Sequence, residues 1–332
     1  MVFKKLLGAM GVGGPSVDTV LANPSTYPGA PLTGQVNLTG GTQVADIEHI
    51  TLALVTRMEV EGGGHDYSTT GDFYRLTVSG PTRIHPGQQM SIPFRIDMPW
   101  ETPITTAYGQ PLRGMVMGVR TEVSIARALD KGDLDPVYVH PLPIHQKILD
   151  AFGQLGFRFK SADLEYGQIY GVHQTLPFYQ EIEYWPAAQY AHAVNEVELT
   201  FVTSPHAVEV VLEFDKRGGL FHSGHDTYGR YTVSHHDAET TDWRSVVDGW
   251  VRQAVDKHRS RPGYGGHAAY GAPGYPPPPP GYGHHGGHHG HHGHYHHGSG
   301  MGGSVLGAVG GLAAGFVIGE AVEEIFDFGD DD

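Results

Sequence analysis

Between residues 17 and 235 the apolar side chains of this chain recur at alternate positions in short runs, and glycine, proline, asparagine and aspartate cut the runs apart. A side chain turned inward at every second residue is what a strand buried on one face requires; a helix would need a period near 3.6. The longest run, 46–61, carries Ile50, Leu52 and Leu54, then breaks step with Val55 before Met58 and Val60. Further runs fall at 17–21, 34–38, 73–78, 89–98, 115–128 and 137–139, with 130–133 (Asp-Lys-Gly-Asp) read as a loop. A second series follows at 157–164, 178–184, 196–203, 207–216 and 230–234. Many short strands separated by turn residues predict an all-β, antiparallel sandwich architecture. No helical pattern separates the first strands, which speaks against alternating β-α-β units.

Two segments change period. Ile144, Ile148, Leu149, Phe152 and Leu155 are spaced for a helix, and they predict a connection and a domain boundary near residue 142. Over 241–257, Trp243, Val246, Val247, Trp250, Val251, Ala254 and Val255 form a continuous stripe. This predicts a C-terminal amphipathic helix capped by Thr241 or Asp242, with Lys257 and His258 at its negative end. Trp243 and Trp250 share its apolar face, to dock on a sheet or to meet a partner. The predicted division is a first β-sandwich over 1–142, a second with its terminal helix over 143–260, a Pro/Gly/His-rich linker over 261–300, and a glycine-spaced helix with an acidic end over 301–332.

Composition matters most past Arg261. The linker holds five consecutive prolines and cannot bury enough apolar surface to fold, so it is expected to be disordered with a stiff polyproline rod. His284, His285, His288, His289, His291 and His292 are candidate metal ligands, because neutral imidazole takes Zn or Ni readily. Without fixed geometry, that uptake is expected to be adventitious. In the tail, Gly303, Gly307, Gly311, Gly315 and Gly319 recur every four residues and would form one smooth helical ridge. Such a ridge suits self-association or peripheral membrane contact. At the other end, Phe3, Leu6, Leu7 and Met10 predict a short amphipathic helix; glycines interrupt the apolar run that a secretory leader needs.

The net charge of −15 repels phosphate backbones and argues against a nucleic-acid partner. No cysteine is present, which removes disulfides, thiolate metal sites and cysteine nucleophiles together. His222, His225, Asp226, His235, His236 and Asp237 are the remaining constellation that could do acid–base chemistry. Alternation along the strand splits these histidines between faces, so they read first as solvated loop and strand residues.

The stretch VDTVLANPSTYPGAPLTGQVNLTGG resembles the opening of arrestin-fold proteins. More closely, the chain is similar to the sporulation-control protein M family (SpoOM). The similarity rests on FKKLLGAMGVGGPSVDTVL, IEHITLALVTRMEVE, IPFRIDMPWETPIT, PLPIHQKILDAFGQLGFRFKSADLE, LPFYQEIEYWP, VEVVLEFDKRGGLF and DWRSVVDGWV. The resemblance implies two tandem arrestin-like antiparallel β-sandwich domains and a cytoplasmic, non-enzymatic regulator of sporulation or morphological development. It implies no catalytic residue and no cofactor. Such a protein would act as a scaffold, meeting other proteins through sheet edges and the groove between sandwiches. On that reading Asp215, Lys216 and Arg217 mark a charged turn that either contacts a partner or simply closes a hairpin. The competing reading is a Zn- or Ni-binding protein that uses the histidine run.

Overall fold

The computed structural model describes residues 13–62, 65–215 and 229–259. In chain order the elements are β1 (Ser16–Leu21), β2 (Ser25–Thr26), β3 (Pro31–Thr39), β4 (Ala45–Gly62), β5 (His65–Ser79), β6 (Thr82–Ile84), β7 (Gln89–Asp97), β8 (Thr106–Ala107), β9 (Gln110–Pro111), β10 (Met117–Ile125), β11 (Lys131–Pro136) and β12 (Tyr138–Val139). Helix α1 (Pro143–Leu155) follows, then β13 (Arg158–Tyr166), β14 (Phe178–Trp185), β15 (Glu196–Thr203), β16 (Ala207–Asp215) and β17 (Gly229–Ser234). A 3-10 turn (His235–Glu239) leads into α2 (Trp243–Arg259).

The described residues are mostly strand. A three-stranded antiparallel sheet has the order β1-β3-β7. A ten-stranded sheet runs β11-β10-β4-β13-β14-β15-β16-β17, with β5 and β6 also paired to β4. Its pairings are antiparallel except where β4 meets β13 at Glu59 and Glu165. Apart from that contact, only the two-residue β2/β12 pair is parallel among the described residues.

Leu32, Val36 and Leu38 of β3, Ile96 of β7, Ile50, Leu52 and Leu54 of β4, and Val119 and Val123 of β10 are all buried in one apolar cluster. The broken step at Leu54 and Val55 is a β-bulge in the pairing of β4 with β5, and both residues are fully buried. Polar contacts also link β1 to the larger sheet. Thr19 and Thr121 share a hydroxyl hydrogen bond of 2.6 Å, and the Thr19 N–H donates to Asp133 at 2.6 Å.

One expectation is corrected here. Residues 131–136, whose opening lies in the predicted loop 130–133, form β11, an edge strand paired along β10 from Val123↔Lys131 to Gly118↔Pro136. Its first five residues are all half-buried, so it carries no alternation to read. The turn is held instead by Asp130, which accepts from the Ile125 N–H, and by Arg127 in the left-handed region at φ 61.

In the second half, Ile182, Val197, Leu199, Val208, Val210 and Leu212 are buried with Ile144, Ile148 and Phe152 of α1 and Val247 and Val251 of α2. Pro143 opens α1, where its missing N–H costs no hydrogen bond. Gly156 ends the helix at φ 92, a left-handed cap that suits glycine.

Candidate functional site

The strands β13 to β16 bury one face under the two helices, and alternation sends the intervening side chains to the other. On that other face stand Asp163 and Glu165 of β13, Glu181 and Glu183 of β14, Glu196, Glu198 and Thr200 of β15, and Val211 and Glu213 of β16. The register sets several of these directly opposite one another: Asp163↔Glu181, Glu183↔Glu198 and Glu198↔Glu213. Glu165 is in turn paired with Glu59 of β4. The result is a ladder of carboxylates across five strands. Like charges directly opposite on a sheet each cost roughly 0.2–1 kcal/mol, so this arrangement works against the fold.

The middle of the ladder is not open to water. Glu181 is 5% exposed and Glu198 7%. They line a cavity of about 310 Å³ together with Thr200, Val211, Glu213, Tyr179 and residues 168–170 of the loop between β13 and β14. That loop has a fixed shape. The Gln174 side-chain amide donates to the carbonyls of Gly167, Leu176 and Phe178, each at 2.9 Å, and its oxygen accepts from the Ile169 N–H. Glu101 accepts from the Thr175 and Leu176 N–H groups, and Arg230 donates to the Gly171 carbonyl.

Few cations answer this charge among the described residues. Lys160 pairs with Glu196 at 2.5 Å and Glu183 at 3.3 Å, at the border of the ladder. Deeper in, Glu198 Oε2 and Asp163 Oδ1 are buried without a hydrogen-bond partner. Burial, then the charges of Glu213, Glu196, Glu183 and Asp163, push the Glu198 carboxyl up to about 8. Burial, then Glu183, Glu165 and Glu59, push Asp163 up to about 8, with Lys160 opposing. Glu181 is held well above the usual carboxylate range by burial and by Glu198. All the donors here are oxygens, the set that suits a hard cation rather than a soft one.

The residues singled out from sequence lie elsewhere. Trp243 is buried, and its indole N–H is shared between the Asp237 and Ala238 carbonyls at 3.2 Å each. Trp250 stacks on Tyr231 at 4.5 Å. Both tryptophans therefore sit in the seam between α2 and the end of the sheet. His235 donates its Nε2–H to the Ser204 carbonyl at 2.8 Å, and Asp237 accepts from the Ser234 N–H, capping the 3-10 turn. Asp215 is the last residue of β16, opposite Glu196. The side chain of Asp215, together with Lys216, Arg217, His225, Asp226, the histidine run 284–292 and the glycines 303–319, lies outside the described residues, as does the predicted helix near the start. The carboxylate ladder was not foreseen. Its signal was an acidic residue at every second position in successive strands, which on a single strand reads as a solvated face.

A β-rich fold with a buried acidic ladder and a sealed apolar face defines a class of sheet protein rather than a named activity. The chain belongs to the SpoOM protein family, whose model matches residues 3–218. It is 32% identical over 216 residues to the sporulation-control protein spo0M of Bacillus subtilis (strain 168), a match covering 65% of this chain and 81% of that one. The crystal structure of Spo0M, sporulation control protein, from Bacillus subtilis superposes with a TM-score of 0.64 at 28% identity, covering 74% of this chain and 100% of that chain. Among the described residues no helix is long and apolar enough to cross a membrane.

Proposed function

We propose that this chain is a non-enzymatic regulator of sporulation or morphological development that works in the cytoplasm as a scaffold for other proteins. In this reading two tandem arrestin-like sandwiches, one on each side of the 142 boundary, supply the contact surface. The glycine-spaced tail adds self-association or membrane proximity. Family membership and the sporulation-control relative support the process. The observation that carries the mode of action is a pair of large aromatic side chains left in solvent beside the acidic face. Trp185 is 44% exposed, with the Lys160 ammonium 5.3 Å from its ring centre, and Tyr170 is 99% exposed on the braced loop. Exposed tryptophan and tyrosine are the side chains that most often anchor protein contacts.

The test is a chromosomal exchange in the native host. Trp185→Ser with Tyr170→Ser is expected to reproduce the loss-of-gene phenotype in sporulation or development, while the purified variant keeps the parent circular dichroism and melting temperature. A normal phenotype from that folded variant would remove these aromatics, and the contact surface built on them, from the mechanism.

A further inference from the structure

We propose that Glu181, Glu198 and Glu213 bind one hard divalent cation of the calcium type in the cavity beneath the 167–177 loop.

Three independent features converge there. The first is spacing: the three side chains place carboxylate oxygens within 4.8 Å of one another. Oxygens that share one Ca²⁺ lie about 2.4 Å from it, hence at most about twice that apart. The second is an orphan: Glu198, which lines the cavity, is 7% exposed, and its Oε2 is buried without a hydrogen-bond partner. A buried carboxylate oxygen in that state is a defect unless something positive meets it. The third is room: the same residues line a cavity of about 310 Å³ that also presents Thr200 and the loop residues Gln168 and Ile169. Calcium takes six to eight oxygens, and three carboxylates leave places for hydroxyl, carbonyl and water.

Among the described residues, two nearby side-chain cations have partners of their own. Lys160 is held between Glu183 and Glu196, and Arg230 reaches the Gly171 carbonyl. A second group, Asp163, Glu165 and Glu181, has the same spacing and shares Glu181. No imidazole or thiolate belongs to either group, which separates this site from the histidine run and from Zn or Ni. The ion would also account for the ladder itself: five strands that repel one another across their polar face would be drawn together by one central charge.

The experiment uses the full-length chain, stripped with chelator and titrated calorimetrically at pH 8 with CaCl₂ and, separately, MgCl₂. These ions are chosen because imidazole binds them poorly. One Ca²⁺ per chain is expected, with a rise in melting temperature. Glu198→Gln is expected to weaken binding at least tenfold and to abolish the thermal shift, and Glu213→Gln to weaken it too, with both variants folded by circular dichroism. The proposal is overturned if millimolar Ca²⁺ and Mg²⁺ give neither heat nor thermal shift. It is equally overturned if both variants bind as the parent does. The measurement contains no partner and no cell, so its failure would leave the scaffold reading where it stands.

Discussion

The polar face of β4, β5 and β10 and the polar face of β13 to β16 belong to one sheet, yet they treat charge in opposite ways. In the first region Asp72 and Glu122 meet guanidinium groups. Arg75 pairs with Asp72 at 2.6 Å and Glu122 at 3.6 Å, and Arg120 reaches Glu122 at 3.2 Å and Asp72 at 3.8 Å. Those arginines hold Asp72 below the usual carboxylate range, chiefly through the Arg75 hydrogen bond. In the second region acids meet acids and are pushed up. Evidently the chain is able to neutralise a polar face of this sheet with its own side chains. At the ladder the described residues supply Lys160, paired with Glu183 and Glu196, while Glu198 Oε2 stays buried without a hydrogen-bond partner.

The comparison breaks most severely on the apolar side of the second region. Leu199→Ala opens a cavity beneath α1 and α2 and is expected to cost about 2–5 kcal/mol in denaturant unfolding. Its neighbour Glu198 lies on the opposite face of the same strand and behaves differently.

A buried imidazole with a partner at Nε2 and none at Nδ1 gives the next largest effect. His145 of α1 stacks on Phe201 at 4.5 Å and bonds Thr203 through Nε2 at 3.0 Å. Burial, with a smaller push from His235, lowers its pKa to about 3. The unfolded chain takes up a proton below the ordinary histidine value of 6.5, and the folded chain does not until far lower. Stability from this group is therefore complete above pH 6.5 and falls as pH drops toward 3. Between pH 6.5 and 5 the loss is expected to be about 2 kcal/mol. Subtracting the profile of His145→Asn isolates it, and parallel profiles would contradict the assignment.

In chelator at pH 9, above the raised pKa, Glu198 is ionised and unpaired. Glu198→Gln is there expected to raise unfolding stability by about 1–2 kcal/mol, an increase from deleting a charge. Arg120→Ala sharpens the contrast from the matched side. It leaves Asp72 and Glu122 with Arg75 as their shared guanidinium and is expected to lose about 1 kcal/mol. If removal of the acid and removal of the base shifted stability in the same direction, the two faces would not differ as described.

The alternation that reveals β3, β4, β10 and β14 to β16 is legible because each strand has one sealed face. The irregular step at Leu54 and Val55 is legible only as an irregularity; that it is a bulge depends on β5 across from it. β11 escapes because an edge strand with evenly half-buried residues has no period. The ladder escapes for a different reason. Glu181, Glu198 and Glu213 are far apart in sequence, and a shift of one residue in any pairing would send that strand's acids into the apolar core. What sequence supplies is each strand's pattern; what it withholds is which rung meets which. The tryptophans of α2 are correctly placed on an apolar stripe, but only the packing shows that Tyr231 and the Asp237 and Ala238 carbonyls occupy them.

A single side chain, Gln174, engages two carbonyls and one N–H of its own loop and the Phe178 carbonyl at the start of β14. The ordering of that rim is thus completed when the polypeptide folds, before any guest arrives. A newcomer to the chamber meets walls already in final form, so little chain entropy remains to be surrendered at the moment of association. Selectivity there would follow from the size and charge of the guest rather than from any reshaping of the host.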